Sequence, residues 1–158
     1  MFRPMRRIKQ QLPDEDAREV LRTAWRGVLA VLGDDDYPYT VPLDFLYDEE
    51  SGHFFFHGAS EGHKVDAIRR CDKVSFCVMD DGVHAHGDWT LTFRSVVIFG
   101  RMHKVEDPER VLKYVRLLGA KYYPTQQELD DEMEKAASRV ACYELIPEHM
   151  TCKRVHEQ

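Results

Sequence analysis

The segment from Trp89 to His103 is the longest stretch of strand character in the chain. Side chains of a strand alternate between two faces. One parity here carries Trp89, Leu91, Phe93, Ser95, Val97 and Phe99; the other carries Thr90, Thr92, Arg94, Val96 and Ile98. The aromatic odd parity is expected to line the interior of a barrel. Further strand candidates surround it. Gly27 to Leu32 is a short continuous apolar run, and Tyr39, Val41, Leu43, Phe45 and Tyr47 alternate with mostly polar residues. Glu49 to Gly52 reads as a turn into a strand over His53 to His57, so a hairpin meander is the simplest topology there. Val74 to Met79 and Val140 to Ile146 complete the set, with Thr151 to Val155 continuing the last strand beyond Pro147.

Helical signals fall between these strands. Asp14, Glu15 and Asp16 crowd the first turn of a helix that fades near Ala24, where the helix dipole favours acids. His63 to Cys71 places Val65 and Ile68 on one face. Asp107-Pro108-Glu109 is an N-cap followed by a proline at the first helical position. Val111, Val115 and Leu118 form the apolar stripe of that helix, Gly119 is its expected C-cap, and a shorter helix follows over Glu128 to Ala136. The pattern predicts an α+β protein of mostly antiparallel strands with flanking helices.

A chain of 158 residues suits one domain, 1–158, with residues 1–12 as an extended N-terminal arm. Its formal charge of −6 argues against nucleic acid or an anionic membrane as partner. No apolar run approaches the roughly 20 residues of a spanning helix, and no apolar signal segment follows the basic start. The four cysteines form no CxxC pair, so reduced thiols in a cytoplasm are expected. His84 and His86 sit among Asp80, Asp81 and Asp88, but spacing fixes no third ligand and no metal is expected.

The chemistry-bearing stretch is Phe54-Phe55-Phe56-His57-Gly58-Ala59-Ser60-Glu61-Gly62-His63-Lys64. A strand ends, two glycines punctuate a tight loop, and a helix begins. Free backbone N–H groups at a helix N-terminus favour an anion. Gly58 and Gly62 allow close approach, Ser60 offers a hydroxyl and Lys64 a full charge, so together they suit a phosphate. Glu61 then has to point outward. A purely structural turn is the competing reading. Arg94, in mid-strand, likewise has two readings: a solvated or salt-bridged arginine, or a group holding a ligand against the outer wall of a barrel.

The chain resembles the nitroimidazole-resistance (Nim) branch of the pyridoxamine-phosphate-oxidase-like flavoproteins. The resemblance rests on Met5-Arg6-Arg7, Tyr39-Thr40-Val41-Pro42-Leu43, Phe56-His57-Gly58-Ala59-Ser60-Glu61-Gly62-His63-Lys64, Phe93-Arg94-Ser95-Val96-Val97-Ile98-Phe99-Gly100 and a Glu132-Met133-Glu134-Lys135 stretch before the last strand. It implies a six-stranded antiparallel FMN-binding split barrel acting as a homodimer, with FMN in grooves between the subunits. It places Val41, Pro42 and Leu43 against the ring, and Lys64 with Ser60, Gly62 or His63 at the phosphate. Gly58, Arg94, Ser95 and Val96 line the groove, Trp89 reaches across the dimer, and His57 sits near the ring as the candidate catalytic group. The implied activity is electron transfer from NADH or NADPH to a nitro compound, quinone or similar small-molecule acceptor. Alternatives are a flavin-holding redox sensor or carrier, or a split barrel that binds heme or a B6 vitamer. For His57 the plainer alternative is a strand-end histidine bonded to backbone.

Overall fold

The computed structural model describes residues 1–84, 86–87, 89–136 and 140–156. In chain order the elements are β1 (Gln11–Leu12), α1 (Asp14–Thr23), β2 (Arg26–Leu32), β3 (Pro38–Asp44), β4 (Leu46–Asp48), β5 (His53–Gly58), α2 (His63–Arg70), β6 (Lys73–Met79), β7 (Val83–His84), β8 (Leu91–Lys104), α3 (Pro108–Tyr122), α4 (Gln126–Ala136) and β9 (Ala141–His156). All the strand pairs are antiparallel, in the order β3-β2-β6-β8-β9-β5-β4. Its two ends, β3 and β4, are halves of one stretch of chain bent at the fully buried Phe45. Counted as one bent strand, they complete a barrel of six strands, with β1 and β7 as short additions. The fold is thus the expected α+β split barrel.

The barrel interior is aromatic. Phe76 meets Phe45, Phe54 and Phe56 edge-on at interplanar angles of 75°, 67° and 88°. Each buried phenylalanine contributes on the order of 2–3 kcal/mol. Phe55 points the other way, where its ring stacks on Tyr114 of α3 at 3.5 Å. A second apolar layer forms there from Val115, Leu129, Met133 and Cys142. Three successive phenylalanines are therefore all buried because β5 is covered on both faces.

The interior parity of β8 is the reverse of the sequence expectation. Val96, Ile98 and Met102 are buried, whereas Phe99 is 40% exposed. The outward residues of β8 face outward neighbours on β6 and β9: Ser95 pairs with Met79, Val97 with Cys77, and Phe99 with Ser75 and His149. Both faces of β8 are apolar, so aromatic content alone pointed to the wrong one. One smaller correction, at Gly119, and one expectation that holds, at Pro147, have local causes. Gly119 is not a cap, because α3 continues to Tyr122; a side chain there would meet Leu129 of α4 at 2.4 Å. Pro147 does not interrupt β9, because it sits at a bulge opposite Gly100, where a missing ladder donor costs nothing.

A buried carboxylate ties the helical layer to the barrel. Glu144 of β9, only 4% exposed, lies 2.8 Å from Nδ1 of His53 on β5 and 3.1 Å from Nε2 of His103 on β8, and accepts from Arg110 of α3 at 3.0 Å. Burial pushes its carboxyl up, but hydrogen bonds from His53 and Arg110 outweigh this and hold it below the ordinary glutamate range.

Candidate functional site

The barrel is split between β3 and β5. β3 is laddered only to β2, and β4 pairs with β5 only as far as Phe55. Among the described residues, no ladder joins Val41–Asp44 to Phe56–Gly58 across this seam. Pro38 and Pro42 are exposed along the free edge of β3, where a residue without an N–H is tolerated. Val41 and Leu43 are half-buried with inward parity, and Leu43 packs on the barrel core.

At one end of the seam α2 begins. Gly62 has φ +122°, a value that L side chains rarely adopt, and this lets the chain turn from the loop into the helix. Gly62, the N-cap of α2, has no side chain to cap the helix, and among the described residues no side chain hydrogen-bonds its first N–H groups, which leaves them open to an acceptor. Lys64 reaches back along β5, with Nζ 3.4 Å from the point where a Cβ on Gly58 would stand. It is half-buried, and among the described residues no acceptor hydrogen-bonds or ion-pairs with it. Burial pushes the lysine below its ordinary pKa. Glu61 is exposed and Ser60 lies in the open loop. Arg69, which the sequence reading passed over, donates to the Ser60 carbonyl at 3.3 Å and brings a second cation to the same turn. One helical turn separates Arg69 from Asp66, its other partner, a spacing visible in sequence.

His63 is committed elsewhere. Its ring stacks on Tyr39 at 4.2 Å, and its Nε2 accepts from the backbone N–H of Asp34 at 3.2 Å. His57 lies on the opposite face of β5 from Phe56 and Gly58, exposed beside Asp44 at a cleft under α3 and α4. The structure therefore brings Gly58, Gly62 and Lys64 together and sets His57 across the strand from them.

Arg94 is on the inward parity of β8, not on the outer wall. Its Nε donates to Asp80 at 2.8 Å and its Nη1 to Glu19 at 2.8 Å and Asp16 at 3.4 Å, so α1 is pinned over one end of the barrel. Hydrogen bonds to Glu19 and Asp80 hold the guanidinium even more firmly protonated than usual. Val96 is 0% exposed and its side chain belongs to the core. Ser95 faces outward. Trp89 is 81% exposed, beyond the start of β8. Ala85 and Asp88, in the His84–His86 loop, lie outside the described residues, and among those described no cluster of three metal-ligating side chains occurs.

The outer wall of β2, β6 and β8 is unusually apolar for a solvent-facing surface. Val28, Leu32, Met79 and Phe99 are exposed there, with Pro42 beside Val28 on the neighbouring strand. Phe2 of the N-terminal arm stacks on His149 and Phe99 at 4.8 and 5.7 Å. Among the described residues no helix is long and apolar enough to cross a membrane.

The topology defines a small antiparallel split-barrel protein with an open seam. The chain belongs to the pyridoxamine 5′-phosphate oxidase family, whose sequence model matches residues 13–154. No curated protein matches it in sequence. Among solved structures it is similar to a candidate 5-nitroimidazole antibiotic resistance protein from Bacteroides thetaiotaomicron, with TM-score 0.77, 18% identity, and coverage of 92% of this chain and 87% of that one. A conserved hypothetical protein from Mycobacterium tuberculosis superposes with TM-score 0.78 at 17% identity, covering 95% and 90% of the two chains. The FAD-binding protein from Mycobacterium smegmatis gives TM-score 0.68 at 17% identity, covering 94% and 99%. At these identities the likeness establishes the fold.

Proposed function

We propose that the chain is a flavoprotein that binds FMN along the seam between β3 and β5, as a homodimer, and passes electrons from NADH or NADPH to a small acceptor such as a nitro compound or quinone. The observation that carries this reading is Lys64. A half-buried lysine without a partner among the described residues, beside the open N–H groups of α2, fits a phosphate. Arg69 adds charge at the same turn. Pro42, exposed on the outer strand β3 that borders the seam, would offer backbone and an apolar ring to the isoalloxazine. In this reading the side chains of Arg94 and Val96 have structural roles, since one is paired with three carboxylates and the other is in the core. The exposed apolar wall supplies a surface for a second copy to cover. Family membership and an FAD-binding protein of the same fold support the flavin.

The flavin supplies the redox step; the chain's contribution is to bind it, orient it and limit access of water. His57, on the exposed side of the seam, is the group available to move a proton at the ring or the acceptor.

The test is an absorbance spectrum of the purified protein with and without added FMN or FAD, followed by anaerobic mixing with NADH or NADPH. Uptake of FMN and bleaching by a nicotinamide, with recovery on adding a nitroimidazole or quinone, are expected. A protein that takes up neither flavin sinks the cofactor. A bound flavin that neither nucleotide bleaches sinks the reductase.

A further inference from the structure

Tyr143 is among the largest side chains of the core and is only 1% exposed. It stands on β9 opposite Phe56, two residues before β5 ends at Gly58. A buried tyrosine hydroxyl requires a hydrogen-bond partner. Its partner lies in the loop that leads to Lys64: the hydroxyl donates to the Ala59 carbonyl at 2.8 Å. Burial pushes this hydroxyl above the ordinary tyrosine range, so it keeps its proton, and its role as donor, at neutral pH. The ring lies against the same stretch of chain. Its Cε2 is 3.8 Å from the point where a Cβ on Gly58 would stand, and Lys64 Nζ is 3.4 Å from that point.

The bond to Ala59 also orients the donors of the loop. The C=O of Ala59 and the N–H of Ser60 share one planar trans peptide and point in opposite directions. With the carbonyl turned onto Tyr143, the Ser60 N–H is turned away from it. The next peptide is fixed in the same manner: the Ser60 carbonyl accepts from Arg69 at 3.3 Å, which turns the Glu61 N–H away from Arg69. Among the described residues, the N–H groups of Ser60, Glu61 and Gly62 have no partner. They join the open first turn of α2 in a run of donors that leads into Lys64, and successive free N–H groups of this kind suit an anion. An untied Ala59–Ser60 peptide is free to turn over and present its carbonyl, an acceptor that repels phosphate. Holding it in advance removes that ordering cost from binding.

We propose that Tyr143 is a positioning residue for the flavin phosphate, a role that rests on the reading of the seam given above. Its hydroxyl holds the Ala59–Ser60 peptide with the carbonyl withdrawn and the N–H free for the phosphate. It acts through the loop and not on the redox step. The preference for FMN over riboflavin, which lacks the phosphate, is therefore the quantity that reads this role.

Flavin fluorescence gives FMN and riboflavin affinities for wild type, Tyr143→Phe and Tyr114→Phe, with thermal melting of each flavin-free protein. Tyr114→Phe is the control: it loses a hydroxyl bonded to Asp48 at 3.2 Å, in the apolar layer on the other face of β5. Tyr143→Phe is expected to weaken FMN binding about fivefold, the scale of one neutral hydrogen bond, and to leave riboflavin affinity unchanged. Tyr114→Phe is expected to change neither. A wild-type preference for FMN that Tyr143→Phe retains, or a loss that falls equally on riboflavin, overturns the role of Tyr143 and leaves the phosphate site standing. No preference in wild type overturns both. A second measurement needs no variant. In wild type the amide NMR signals of Ser60 and Glu61 should shift more on adding FMN than on adding riboflavin, and equal shifts overturn the orientation assigned to these peptides.

Discussion

Lys64 and Arg94 are both cations in the chemistry-bearing stretches, and the fold treats them in opposite ways. Arg94 sits on β8 with Asp80, Glu19 and Asp16 around it. Its Nε and Nη1 both donate to carboxylates of the protein itself, and these bonds hold α1 over the barrel. Lys64 sits at the start of α2, partly desolvated, with no counter-charge among the described residues. A charge held at such a cost without a partner is available to a ligand. Position within the strings of residues that carry the resemblance does not separate the two; their partners do.

The largest expected effect is at the open end. Lys64→Met should weaken FMN binding by roughly 30- to 100-fold, the scale of one charge-assisted hydrogen bond to phosphate. It should also raise the melting temperature of the flavin-free protein. The folded-state pKa of Lys64 lies below its unfolded value, so the charged form opposes folding at neutral pH. A lower melting temperature in Lys64→Met would show that the lysine has a hidden structural partner.

The saturated end should behave conversely. Arg94→Met leaves three carboxylates facing one another and should cost on the order of 2 kcal/mol. That is less than for a fully buried pair, because the carboxylates keep contact with water. FMN affinity should stay within about twofold, corresponding to well under 1 kcal/mol. Urea unfolding and flavin titration of this variant read both quantities. A large loss of FMN affinity with unchanged stability would put Arg94 back into the site.

Smaller again is the junction at Glu144. Its folded-state pKa is depressed, so its contribution is present above the ordinary glutamate range and is lost as pH falls through and below that range. Glu144→Gln should reduce stability by about 1 kcal/mol at neutral pH, and the difference from wild type should shrink in acid. Melting curves at several pH values test this; a difference that does not depend on pH would mean that the carboxylate charge is not what holds α3 in place.

Much of the fold was legible because it is written locally. The alternation of Tyr39 to Tyr47, the Asp107-Pro108 helix start and the strand–glycine–helix sequence before Lys64 each depend on neighbours in the chain. The facing of β8 was not legible, because both of its parities are apolar: one fills the barrel, and the other forms the exposed wall with Met79 and Val28. Nor was the bend at Phe45, which is set by the way β3 and β4 close opposite edges of the sheet. At the site, the glycines and Lys64 could be read from the turn. The saturation of Arg94 could not, because Asp16, Glu19 and Asp80 arrive from α1 and from the end of β6, far apart in sequence.

The central claim is that Lys64 is free because a phosphate takes it. Four affinities test that claim most directly: FMN and riboflavin, each against wild type and Lys64→Met, by flavin fluorescence. Wild type should prefer FMN to riboflavin by at least tenfold, and that preference should collapse toward one in Lys64→Met while riboflavin affinity is unchanged. A preference that survives in Lys64→Met, or its absence in the wild type, would contradict the assignment of the phosphate to this lysine.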